Sequence, residues 1–183
     1  ITVFLSARQT SKRLHDLVGL YQAIVEQIDK PAFIAKLCGC VAASLGYDAQ
    51  RYQGRSALLP LMIEEGVSRN DAIREIRQAT VQLFKDADMS PAFLTCAYDI
   101  VKERLINGNE DSVELALKWL NGEKLENRDK KATGLFERLQ RTNARTWLGS
   151  LLKFVYTIGF QGLIVVIDDL EVMTERIEDT KRF

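Results

Sequence analysis

The chain has 183 residues, 46% of them hydrophobic and 27% charged, with 25 Lys plus Arg against 25 Asp plus Glu. This describes an ordinary globular chain with a core of its own, and the charge balance excludes a global field that would attract nucleic acid or an anionic membrane; only a local patch could do so. No apolar run approaches the roughly 18 to 20 residues that span a bilayer, and the opening Ile-Thr-Val-Phe-Leu lacks the basic lead of a signal peptide, so a cytoplasmic location without membrane contact is expected.

Cys38, Cys40, Cys96 and a single His15 do not complete a zinc set, so reduced and mostly buried thiols are expected instead. The first residue is Ile1, already inside what reads as a strand. On that ground the chain is expected to be an internal piece of a longer parent.

Ile1 to Ser6 is β-branched and apolar and predicts a short buried strand. Leu14, Leu17, Val18, Tyr21, Ile24, Val25 and Ile28 keep three-and-four spacing up to Pro31, which predicts a first helix with His15 as a polar position on it. A second apolar helix is predicted from Phe33 to Leu45, ending at Gly46. Around Pro60 a short helix is expected, interrupted or begun by the proline. Ser68 precedes Asp71 by three residues, as in a capping box, with Ile73, Ile76, Thr80 and Leu83 on the inner face. Ser90-Pro91 starts the next helix, whose inner face is read as Leu94, Tyr98, Val101 and Leu105 before Gly108. A helix is predicted from about Asp111 to Asn121, then a charged surface connection from Glu123 to Lys131. Two more helices are predicted near Thr133 to Asn143 and Thr146 to Ile158. Gly159 precedes a buried strand, Leu163 to Ile167, and a last helix is expected over about Val172 to Lys181.

Two strands therefore bracket about 150 residues of helix. A parallel crossover needs only a dozen or more residues, so this one would carry a whole helical subdomain. The expected fold is mainly α with a small parallel β element.

The second strand runs into Asp168, Asp169 and Glu171. An apolar strand ending in adjacent acids is the Walker B pattern of P-loop NTPases. Its terminal carboxylate sits where α/β sheets bind ligands, in reach of a phosphate-bound magnesium. On that reading Asp168 serves the metal, Asp169 activates water, and Glu171 is an alternative base or supporting group. The structural alternative is a strand whose loop carboxylates cap the following helix.

Two further runs, Trp119-Leu-Asn-Gly-Glu123 and Leu148 to Gly159, precede this element, which reads in full Gly162-Leu-Ile-Val-Val-Ile-Asp-Asp-Leu-Glu171. Together they resemble the P-loop ATP-binding proteins associated with bacteriophage-exclusion (BREX) defence systems. The opening strand, its Ser-Ala, and the helix carrying Leu20 to Val25 resemble the part just after that family's Walker A helix. The middle, about Cys38 to Arg104, shows no such match. The resemblance implies a fragment of an α/β P-loop core, with partial core at 1–30 and 146–183 and a helical insertion at 31–145. It implies ATP and magnesium in the intact parent, and sister defence proteins and DNA as candidate partners. Two departures stand out. Asp169 occupies a position that is typically Glu in the family, and no Gly is followed by Lys anywhere in the chain. Without the Gly-x-x-x-x-Gly-Lys-Ser/Thr loop nothing cradles the phosphates, so this chain by itself is expected to bind no nucleotide and to be inactive. Its open sheet edge is expected to drive self-association.

Arg138, Arg141 and Arg145 stand at i, i+3 and i+7. On a helix they form one basic stripe, either a phosphate contact for nucleic acid or a solvated face. Trp147 and Phe136 are read as core rather than stacking groups. Gly66 to Ile76 is similar to the turn and second helix of a helix-turn-helix, with Ser68, Arg69 and Asn70 placed to reach bases. The competing function is a helical protein-interaction or DNA-binding module with no nucleotide site.

Overall fold

The computed structural model describes residues 1–48, 57–108 and 113–169. Thr2–Ser6 (β1) and Ile164–Asp168 (β2) pair in parallel, in register from Thr2 opposite Ile164 to Ser6 opposite Asp168. This is the arrangement expected from the sequence, with the helices lying between the strands in the chain. Val3 and Leu5 are buried, but Phe4, Ile164 and Val166 are exposed at 66%, 62% and 42%. The prediction of a buried second strand is corrected: the sheet buries one face only, because no described element covers the other.

Leu17–Gln27 (α1) starts later than predicted, capped by Asp16, whose carboxylate accepts the Gly19 N–H at 2.7 Å. His15 is exposed in the turn before it. Lys30–Ser44 (α2) is capped by Asp29, so Pro31 opens this helix rather than merely ending the previous one. Leu59–Glu64 (α3) is likewise begun by Pro60. Arg69–Leu83 (α4) has the expected Ser68 cap, with Ser68 Oγ accepting from Asp71 N at 3.2 Å.

Pro91–Val101 (α5) continues as a π-helical stretch, Lys102–Asn107, and stops at Gly108 with φ 65°. Its buried face is Phe93, Cys96, Ala97, Asp99, Ile100 and Val101; of the predicted inner face Val101 and Leu105 are buried, while Leu94 and Tyr98 are half-buried. Glu114–Leu120 (α6) follows. Asn127–Thr133 (α7) is helical with no buried residue, where a connection was predicted. The helix predicted from Thr133 to Asn143 is absent. After Gly134 (φ 75°) the chain runs without regular hydrogen bonding to a turn at 141–143. Ala144–Thr157 (α8) completes the set.

Aromatic rings join these helices. Trp119 and Trp147 lie 4.4 Å apart between centroids, and Phe93 meets both edge-on at 5.2 and 5.5 Å. Such edge contacts add about 0.5–1.5 kcal/mol each beyond area burial. Tyr21 packs on Trp147, and its hydroxyl donates to the Leu120 carbonyl at 2.8 Å, tying α1 to α6. Phe136, expected inside, is 65% exposed. The core thereby packs α1 against α8, and α1 in turn lies against β1.

Candidate functional site

In a parallel pair both strands end at the same edge of the sheet. The register brings Ser6, the last residue of β1, opposite Asp168, the last of β2. The ladder continues one residue further, with Ala7 N donating to the Asp168 carbonyl at 3.1 Å. The chain then swerves: Asp169 has φ 58°, in the left-handed region that Asp tolerates better than most residues. That turn throws the Asp169 carboxylate back over β1. Its Oδ2 accepts the Ser6 hydroxyl at 2.8 Å, and its Oδ1 lies 3.4 Å from Arg8 Nε. Asp168 Oδ1 accepts the Asp169 N–H at 2.8 Å, while the Asp168 side chain stays exposed.

A cleft of about 470 Å³ opens beside these ends, lined by Ser6, Thr10, Glu26, Gln27, Val166 and Asp168 among others. Glu26 in its wall is paired with Lys12 at 2.7 Å, so Asp168 is the unpaired acid there among the described residues. A larger groove, about 880 Å³, runs along α4 past Leu45, Arg74 and Arg77. It holds none of the paired acids, and its cations are engaged: Arg74 bridges Asp71 at 2.5 Å and Arg77 lies over Tyr98.

The structure thus brings Asp168 and Asp169 together and leaves them in unlike surroundings. Asp168 presents a solvated carboxylate at the sheet edge. Asp169 is held by two donors that sequence reading did not single out, Ser6 and Arg8; the signal lay in the register, which sets the last polar residue of β1 against the acids. Glu171 lies outside the described residues. Arg138, Arg141 and Arg145 are all exposed but share no helix, since the first lies on the irregular segment after Gly134, the second in the turn and the third in α8. The stripe built on helical spacing is therefore corrected.

Cys38 and Cys96 are buried and Cys40 is half-buried. Cys38 is buried, which pushes it up to about 12, and Cys96 is raised further by complete burial. No group of three or more metal-ligating side chains occurs among the described residues, and no described helix is long and apolar enough to cross a membrane.

No curated protein and no solved structure matches the chain. The family model described as BREX system ATP-binding protein BrxC/D matches residues 62–182, which runs from within α3 through the acidic strand end. That is 121 of 183 residues, and the chain belongs to the BrxC/D family of BREX system ATP-binding proteins.

Proposed function

We propose that the chain supplies the carboxylate half of a magnesium–ATP site in a P-loop ATPase of a phage-defence system. The observation that carries this reading is the parallel pairing of β1 with β2, which puts an exposed Asp168 and a tethered Asp169 at one carboxyl edge. Ligands of α/β sheets bind at that edge. Family membership supports the nucleotide and the defence setting.

The donor set fits a magnesium ion, which takes one or two carboxylates together with substrate phosphates. It does not by itself fit the triphosphate, since the Gly-Lys-Ser/Thr loop is absent from the 183 residues. That loop would come from outside this sequence. Residues 1–30 and 146–183 would then be parts of the catalytic core, and 31–145 an insertion into it; the packing of α1 against α8 beside the sheet supports that division. Sister proteins of the same defence system would be its partners.

When bound, magnesium would neutralise charge on the phosphates. Asp168 would hold the metal's water shell at the strand end. Asp169 would orient and accept a proton from the attacking water, once its carboxylate leaves Ser6 and Arg8. Glu171 would support or replace it. Side-chain length matters here, because Asp reaches one methylene less far than Glu.

Calorimetric titration with magnesium–ATP tests the reading on this chain. Binding weaker than the micromolar range is expected, and micromolar binding would overturn it. In a protein joining this chain to a Gly-Lys-Ser/Thr loop, Asp168→Ala should remove turnover.

A further inference from the structure

The segment between α7 and α8 alternates like a strand. Leu135 points inward at 1% exposure, and so does Glu137, whose carboxylate accepts from Trp147 Nε1 at 2.7 Å, Asn143 Nδ2 at 3.1 Å and Ser90 Oγ at 3.0 Å. The Glu137 carbonyl takes Trp119 Nε1 at 2.6 Å. The residues between them, Phe136, Arg138 and Gln140, are exposed. The backbone is thus fastened from below while the Phe136 ring and the Arg138 guanidinium stand out on the other side.

The surrounding charge leans basic, with six exposed cations against exposed Glu123 and Glu126. Lys124, Arg128, Lys131, Arg138, Arg141 and Arg145 are exposed, and none has a carboxylate partner among the described residues. Of the acids in the same stretch, Glu126 is exposed and offsets one of these cations, while Glu137 is turned into the core. Glu123 and Asp129 act on Lys118, which is already bridged to Glu114 at 2.7 Å. A chain with zero net charge therefore carries a local excess of unpaired cations beside an exposed ring.

We propose that this strap is a single-stranded nucleic-acid site, in which a base stacks on Phe136 while Arg138 and the neighbouring cations hold phosphates. The chemistry favours a single strand over a duplex. A ring standing out of the surface needs an unstacked base to stack on it, and Arg138 and Arg141 sit on no helix that could enter a major groove. Aromatic stacking with a basic track tolerates any sequence, so little base preference is expected. The site is independent of the nucleotide reading above.

Fluorescence anisotropy of the whole chain with labelled oligothymidylate, about 20 nucleotides long, tests this. Affinity should fall as salt rises from about 50 to about 200 mM. Phe136→Ala should weaken binding about 5- to 100-fold without changing the salt slope, and Phe136→Tyr, which keeps the ring, should retain it. Replacing Arg138, Arg141 and Arg145 together by Gln should flatten the slope of log affinity against log salt by about 2. All four positions are exposed, so circular dichroism and melting should match the unaltered chain. The proposal is overturned by no binding at the lowest salt, by duplex binding as tight as single-strand binding, by equal competition from a polyglutamate peptide, or by an unaffected Phe136→Ala variant.

Discussion

The side-chain amide of Gln27 hydrogen-bonds both backbone groups of Phe4. Its Oε1 accepts the Phe4 N–H at 3.1 Å and its Nε2 donates to the Phe4 carbonyl at 2.5 Å. In a parallel strand alternate residues address opposite neighbours. Ile1 and Ala7 bond to β2, so Phe4 faces the other edge, where Gln27 acts as a one-residue substitute for a strand. The sheet is closed at β1. At β2 no further described strand pairs, and uncovered strand edges recruit partners.

Growth of this sheet should therefore run through β2 alone. Light scattering across a concentration series should show dimers of the chain. Val165→Pro should abolish them, because residue 165 lies between Ile164 and Val166, which address β1, and its own N–H points to the open side. Gln27→Ala should cost about 0.5–1.5 kcal/mol in urea denaturation and add higher oligomers by opening the second edge. A strictly monomeric chain at high concentration would rule out association through β2.

Glu137 is expected to be a stability hub. Replacing it by Ala strips partners from the buried Trp147 indole, and from Ser90 and Asn143. Hydrogen bonds to a charged group contribute about 1.5–3 kcal/mol, and a buried donor left unmet costs about 1–3 kcal/mol. A loss of about 2–4 kcal/mol is expected for Glu137→Ala, together with a red shift of tryptophan emission as the strap loosens. Glu137→Gln should lose less, since it keeps one acceptor. Equal stability of the Ala variant and the unaltered chain would disprove the role.

The same residue explains the largest misreading. Leu135 and Leu139 are four apart, and with good helix formers around them they read as one helical face. Gly134 in the left-handed region ends α7, and the tryptophans then capture Glu137 from elements distant in sequence. Tertiary hydrogen bonds outweigh a propensity of tenths of a kcal/mol per residue. No apolar face marked α7, so its charges read as loop. The Ser68 and Ser90 caps were more legible, because they act on their own backbone, whereas the Asp16 and Asp29 caps and the opening role of Pro31 were not read. The strand pair was legible too, since β-branched runs ending in Ser6 and Asp168 leave few alternatives. The acids could be found by pattern, but their unlike surroundings depend on register and on the turn at Asp169, which composition does not encode.

Asp99 should make stability depend on pH. It is 6% exposed, and burial pushes its carboxyl up to about 6, with Lys102 pulling down and Glu103 pushing up. The folded value lies above the unfolded one of about 3.9, so the folded chain binds this proton more tightly. Its contribution is favourable below about pH 4 and is lost as pH rises through about 6; above that a buried charge remains, costing about 1–3 kcal/mol. Asp99→Asn should raise stability by that order at about pH 8 and change little at about pH 3.5. Urea denaturation of both chains at the two pH values decides it, and an equal shift at both would exclude titration as the cause.

The two adjacent acids should respond to mutation in different ways. Asp168 is solvated, whereas Asp169 is bound to Ser6 at 2.8 Å and lies 3.4 Å from Arg8. In an assembled ATPase, Asp168→Ala should lower turnover about 100-fold or more, by analogy with the loss of one preorganised electrostatic contact. Asp169→Asn, which can still accept the Ser6 proton but is a poor base, should also lower turnover while leaving ATP affinity intact. Asp169→Glu adds the methylene that lets a carboxylate reach past Ser6 toward a water, so activity should be kept or raised. Ser6→Ala removes one tether of about 1 kcal/mol and should raise basal turnover a few-fold if the Ser6-bound state is the resting one. Steady-state hydrolysis and nucleotide affinity, measured for all four variants, separate metal holding from proton transfer. An inactive Asp169→Glu variant with normal ATP binding would show that Asp169 does not act on the water, leaving Glu171 as the acid to test by Glu171→Gln.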